Sequence, residues 1–312
     1  MNSSIHRARC LLAWLLIALG LGLGTSPAEA EAEAEVSIPL WGRWEARWTA
    51  EVEAAPESTR LAVELIAPSG RVSRVQGFWD GGRVWKARFR PDETGGWTFR
   101  TRCEPSRPGL DGQVGAFLCE KSSRPGQADR FLLHGPVQVA REAPSHLEHA
   151  DGTPFFWMGD TVWNGPALSS DEDWNSFLDD RVAKHFSVIQ FNVLCPWRAA
   201  PADAEGQTAF DRLANGGIRL NPRFFQRLDR KYDALRQRGL LAAPVLVWAH
   251  RKGDPGIDLN DDAILTLIRY QLARHGAENV VWILAGDNSY NPEQAARWKR
   301  IGRAVFDESS GR

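Results

Sequence analysis

The hydrophobic period of this chain changes once, near Gly135, and that change limits the folds open to it. Before it, short runs alternate apolar and polar residues between turns. Leu61-Ala-Val-Glu-Leu-Ile66 ends at Pro68-Ser-Gly70, and Val84-Trp-Lys-Ala-Arg-Phe89 ends at Pro91-Asp-Glu-Thr-Gly95. Trp97–Arg102 and Val114–Cys119 follow the same plan. Period-two runs broken by Gly and Pro predict a β-sandwich (immunoglobulin-like) over residues 36–121. The polar stretch Ser122-Ser-Arg-Pro-Gly-Gln-Ala128 then opens a linker over residues 122–135.

From residue 136 to 312, apolar strands alternate with amphipathic helices, the pattern of a β/α domain around a parallel sheet. The strands read as Pro154–Met158, Ser187–Phe191, Leu241–Val247 and Val280–Leu284. Ser169-x-x-Glu172 forms a capping box ahead of a helix with Trp174, Phe177, Leu178 and Val182 on one face. Asn221-Pro222 caps a second helix, with Phe225, Leu228, Tyr232 and Leu235 inward and Gly239 as its stop. A third helix runs through Ile264, Leu267, Ile268 and Leu272 to Gly276, and a fourth carries Trp298, Ile301 and Val305.

Residues 1–30 read as a secretory signal peptide: His6, Arg7 and Arg9, an apolar run from Leu11 to Leu23, then the small-residue exit Thr25-Ser-Pro-Ala-Glu-Ala30. The run is short of the ~20 residues that a spanning helix needs. Cleavage fits after Ala28 or Ala30 and predicts a secreted or periplasmic protein, with no membrane partner after signal removal; the alternative is an uncleaved anchor. Cys10 precedes the apolar run, so no lipid attachment is read. In an oxidising compartment Cys103 and Cys119 are a disulfide candidate across a hairpin, or else two buried free thiols; Cys195 has no partner. No Cys or His spacing resembles a zinc site, and no cofactor is expected. A net charge of −1 gives no reason to expect nucleic acid.

Functional groups of β/α folds collect just past the carboxyl ends of the strands. Those positions hold Asp160 and Trp163, then Asn192 and Trp197, then Trp248 and His250, and finally Asp287 and Asn288. Carboxylates, amides, an imidazole and indoles at one rim suit an uncharged, hydroxyl-rich ligand: polar groups bind hydroxyls, and aromatic faces stack on ring C–H surfaces. The 14 Trp in the chain, against 3 Tyr, fall partly on that rim. A glycine-rich phosphate loop and a G-x-S-x-G elbow are both missing.

These residues carry a resemblance. Asp151-Gly-Thr-Pro-Phe-Phe-Trp-Met-Gly-Asp-Thr-Val-Trp163 resembles the opening of apiosidase-like glycoside hydrolases. So do Arg181–Gln190, Leu220-Asn-Pro-Arg-Phe-Phe225, Ala273-Arg-His-Gly276 and Val281-Trp-Ile-Leu-Ala-Gly-Asp287. Upstream, Gly77-Phe-Trp-Asp-Gly81 and Lys86–Trp97 resemble the sandwich domain of unknown function that precedes many such enzymes. The resemblance implies a (β/α)8 barrel that hydrolyses glycosidic bonds of a polysaccharide or oligosaccharide, including plant-type side chains. It implies two carboxylates, one acting as general acid/base from strand four and one from strand seven. Asp287 matches the first, a role that requires a pKa raised by desolvation under Trp248 and Trp282; otherwise it is a solvated aspartate capping the following helix. Asp160 either binds sugar hydroxyls or holds the strand-one loop; Trp163 and Trp197 either stack on sugar or serve as core or lid.

The four β/α units resemble the first half of such a barrel. About 178 residues follow Gly135 where a whole barrel takes about 250, and no fifth strand is read. Asp160 is a poor second carboxylate, because strands one and four lie across the mouth from each other. The sequence therefore reads as a truncated enzyme with an acid and no nucleophile. It is either an inactive fragment, a half-barrel that closes with a second copy or second half through its open sheet edges, or a non-catalytic carbohydrate-binding or structural surface protein.

Overall fold

The computed structural model describes residues 36–122, 130–194, 202–288 and 291–307. The signal-peptide region, Cys195 and Trp197 lie outside the described residues.

The N-terminal region is all β. Its strands are β1 (Ser37–Pro39), β2 (Trp44–Thr49), β3 (Arg60–Ile66), β4 (Val72–Gln76), β5 (Phe78–Trp79), β6 (Val84–Phe89), β7 (Gly95–Glu104) and β8 (Val114–Glu120). They form a five-stranded sheet, β1-β8-β7-β3-β4, and a three-stranded sheet, β2-β6-β5. Alternation drives their packing: Val63, Leu65, Trp97 and Phe117 point from the larger sheet, Trp44 and Ala87 from the smaller, into one shared core. Gly115 sits where a Cβ would strike the Phe99 ring, so its small size admits that aromatic.

The candidate disulfide is not formed. Cys103 and Cys119 are both buried free thiols. Along β7, Cys103 stands opposite Leu61 of β3, while Cys119 of β8 stands opposite Gly95. Eight residues of extended strand, about 26 Å at ~3.3 Å per residue, therefore separate their positions. A disulfide needs Cα atoms within about 7 Å. Burial pushes the Cys119 thiol up to about 11, which keeps it protonated and unreactive.

A connecting region contains α1 (Arg130–His134) and a small antiparallel sheet, β11-β10-β9, of β9 (Val137–Val139), β10 (Leu147–His149) and β11 (Pro154–Phe155). The α/β region follows: β12 (Gly159–Thr161), α2 (Gly165–Leu168), α3 (Asp171–Ala183), β13 (Val188–Asn192), the hairpin β14 (Phe210–Arg212) and β15 (Ile218–Leu220), α4 (Pro222–Gln237), β16 (Leu241–Val247), α5 (Pro255–Asp258), α6 (Asp261–His275), β17 (Ile283–Ala285) and α7 (Pro292–Phe306). Its sheet is parallel throughout, in the order β12-β13-β16-β17. Strands adjacent in sequence are adjacent in space, joined by α3, α4 and α6.

Three expectations shift in register. Pro154–Phe155 joins the small antiparallel sheet, and the first parallel strand begins at Gly159. Ser187 enforces the break: its hydroxyl donates to the Phe156 carbonyl and accepts from the Met158 N–H, which leaves Phe156, Trp157 and Met158 exposed. The α3 cap is Ser170, bonded to Asp173, rather than Ser169, whose carbonyl instead accepts from Arg227 and Lys231 of α4. The fourth strand contracts to Ile283–Ala285, with Val280 as an isolated bridge to Ala242. The helix faces agree with the pattern: Trp174, Leu178, Phe225, Leu228, Tyr232, Leu235, Ile264, Leu267, Ile268, Trp298, Ile301 and Val305 all enter one core. Phe78 of β5 enters it too, so the core crosses the domain boundary. Both domains belong to one compact unit, Glu35–Arg312.

Candidate functional site

The carboxyl ends of the parallel strands bring two indoles and an amide together. Trp163 follows β12 and Trp248 follows β16; their rings meet edge to face, 5.3 Å apart. Trp248 is buried, whereas Trp163 is 37% exposed and so presents an aromatic surface to solvent. Asn192 ends β13, and its backbone N–H donates to the Trp163 carbonyl at 2.6 Å, which ties the two strand ends. The Asn192 side chain is 1% exposed, yet neither Oδ1 nor Nδ2 has a hydrogen-bond partner among the described residues. Leaving a buried polar group unpaired costs about 1–3 kcal/mol, so this carboxamide needs a functional account. Gln190 lies two residues back on the same face, in register with Thr161.

The fourth strand end packs against the same indole. A Cβ on Gly286 would lie 1.9 Å from Cε3 of Trp248, so only glycine lets the chain pass this close to the ring. The Gly286 N–H donates to the Val247 carbonyl at 3.0 Å. Asp287 follows, and it is exposed; the desolvation expected from Trp248 and Trp282 is not supplied by these neighbours. The strand ends at Ala285, so Asp287 lies two residues beyond the sheet. Asn288 is half-buried beside it.

The remaining predicted residues fall elsewhere. His250 is exposed, and its backbone N–H, with that of Arg251, is held by the buried Asp254 carboxylate at 2.9 and 2.8 Å. Asp160 lies inside β12, and its carboxylate pairs with Arg181 of α3 at 2.7 Å. Its carboxylate therefore turns toward α3. Sequence reasoning missed the role of Gly286, which stands within the Val281–Asp287 stretch but acts through its packing on the Trp248 ring, and that of Asp254, which depends on a local turn. Gln190 stood within a resembling stretch and is signalled by its polarity in a buried strand. Among the described residues no group of three His, Cys, Asp or Glu side chains is arranged to hold a metal ion. No described helix is long and apolar enough to cross a membrane.

Residues 142–311, more than half of the chain, match the family described as apiosidase-like, catalytic domain. The chain belongs to the apiosidase-like family. Residues 37–104 match a domain of unknown function (DUF5060). Among solved structures, a candidate glycoside hydrolase from Bacteroides vulgatus ATCC 8482 superposes with a TM-score of 0.72 at 23% identity, over 89% of this chain and 55% of that one. A glycoside hydrolase family 5 protein from the same organism gives a TM-score of 0.45 at 16% identity, over 57% of this chain and 39% of that one. This apiosidase-like chain thus spans about half the length of the solved structure it resembles over most of its own length. A search of the curated proteins returns no match. The chain is glycoside hydrolase-like by family, with a β-rich N-terminal domain and an α/β domain.

Proposed function

We infer that this chain carries the acid/base side of a secreted glycosidase acting on side chains of plant-type or other branched polysaccharides. On this reading the β-rich domain is an immunoglobulin-like sandwich, and the parallel sheet is the first half of a (β/α)8 barrel. The observation that carries it is Asn192: a buried amide with free donor and acceptor capacity, set beside a partly exposed indole at the carboxyl ends of the strands. One sugar ring meets both demands, its hydroxyls pairing with the amide and its C–H face stacking on Trp163. Asp287 is the general acid/base, at the end of the fourth strand. The second carboxylate belongs to strands beyond β17, about 5–5.5 Å away for a retaining mechanism or 6.5–9.5 Å for an inverting one. Residues 1–30 act as the export signal, cleaved after Ala28 or Ala30.

The exposure of Asp287 favours a second reading, in which this chain binds glycan without cleaving it. Two measurements on the mature chain separate the readings. Release of reducing sugar from branched plant-type polysaccharide, abolished by Asp287→Asn, supports the hydrolase. Calorimetric glycan binding without turnover, lost in Asn192→Leu and Trp163→Ala, supports the binder. Neither turnover nor binding overturns both.

A further inference from the structure

Two motifs in the sequence, Gly77-Phe-Trp-Asp-Gly81 and Ala273-Arg-His-Gly276, contribute nothing to the rim. They meet each other instead. Phe78 is 2% exposed and lies edge to face with Tyr270 of α6, 6.0 Å between centroids. The guanidinium groups of Arg88 and Arg274 cover the same Phe78 ring at 5.3 and 4.8 Å. Arg274, fully buried, reaches Asp80 at 2.7 Å, and the Tyr270 hydroxyl donates to the Trp79 carbonyl at 2.8 Å. Gln226 of α4 donates to the Asp80 carbonyl.

Asp229 of α4 is the hub. Arg88 from β6 grips its carboxylate with two hydrogen bonds of 3.0 Å, and Arg274 grips it with two more at 3.0 and 2.7 Å. His275 adds a contact at 3.0 Å. Paired forks of this kind fix both distance and angle. A third group of contacts falls on the turn between α6 and β17. Arg88 donates to the Arg274 carbonyl at 2.8 Å, and Arg90 donates to the Ala277 carbonyl and Asn279 Oδ1 at 3.0 and 2.9 Å. Arg43 pairs with the buried Glu278 carboxylate. The Asn279 carbonyl then accepts from Ala242, where the turn enters the parallel sheet.

We propose that the β-rich domain is a fixed brace of the α/β domain: the outward face of its three-stranded sheet clamps α4, α6 and the α6–β17 turn, and so sets where the strand leading to Asp287 begins. The face is spent on this contact; it is not a free glycan-binding surface. Only the role of Asp287 rests on the glycosidase reading; the brace stands without it.

Hydrogen–deuterium exchange on the full chain tests this without reference to activity. Phe78→Ala and Arg88→Met should raise amide exchange across residues 274–285 at least tenfold, although neither residue lies in that segment. Arg100→Met, on the exposed face of the other sheet, should change nothing there. Faster exchange confined to residues 44–49 and 78–89 overturns the proposal. Should Arg88→Met fail to fold, Arg88→Lys keeps the charge without the fork; it should give a smaller rise in residues 274–285, and no rise overturns the brace. Calorimetry of the unmodified chain should show one cooperative transition, and two well-separated transitions overturn it.

Discussion

The charges buried at the domain interface and the amide buried at the rim are treated in opposite ways. At the interface the buried charges of Arg88, Arg274, Asp229 and Asp80 are matched by ionic partners within about 3 Å. Burial alone would raise the Asp229 carboxyl, but hydrogen bonds from His275 and the charge of Arg274 outweigh it and hold it well below the usual carboxylate range. At the rim, the Asn192 side chain is buried with no hydrogen-bond partner among the described residues, and Asp287 stands in solvent. Charges each held by an opposite charge specify one arrangement of the chain, because any slip strands one of them. An unsaturated group has its bonding capacity left for something that arrives later.

The comparison can be broken at either side. The largest effect is expected at the rim: if the chain turns over a glycan, Asp287→Asn should cut kcat by about 10²–10⁴, the usual worth of a general acid/base, with the melting temperature unchanged. At the interface, Arg274→Met should destabilise by about 3–5 kcal/mol in denaturant titration, since it leaves Asp80 and Asp229 short of a buried partner. Phe78→Ala should cost a similar ~3–5 kcal/mol by opening a cavity in the shared core. Asn192→Leu should behave in the reverse manner. Replacing an unpaired buried amide by an apolar group of similar shape is near neutral or stabilising, so it should leave stability intact while glycan affinity falls. A loss as large as that of Arg274→Met would show that Asn192 has a structural partner after all.

The smallest expected effect is a pH dependence of the interface. Burial lowers the His275 pKa despite the pull of Asp229, so His275 is neutral in the fold and bonds Asp229 as an uncharged donor. Its folded-state value lies below the unfolded value near 6.5. Stability is therefore full above about pH 6.5 and declines as the pH falls, where the unfolded chain takes up the proton first. Asp229 adds a second decline only below its unfolded value near 3.9. A melting temperature that rises on going from pH 7 to pH 5.5 would contradict the His275 assignment.

Much of this was legible in the residues. Helix faces with apolar side chains three and four apart can bury only one side, so Phe225, Leu228, Tyr232 and Leu235 of α4 had one place to go. Period two did the same for β3, β6, β7 and β8. Boundaries were less legible where side chains compete for backbone groups: Ser187 ends one extended run early, and Arg227 and Lys231 claim the carbonyl of Ser169 and move the α3 cap. Cys103 and Cys119 looked close because their runs are consecutive, yet the register sets Cys119 of β8 opposite Gly95, eight residues from Cys103 along β7.

Local periodicity and short motifs act over a few residues, so they carry the parallel strands, the four long helices, the family and the residue types at the rim, but not the β14–β15 hairpin or the short helices α1, α2 and α5. Packing alone pairs Asp160 with Arg181 of α3 and buries the Asn192 carboxamide with no hydrogen-bond partner among the described residues. It also decided that Asp80, Arg88, Asp229 and Arg274 converge, because a carboxylate's role depends on which cation the packing brings within about 3 Å from a distant part of the chain.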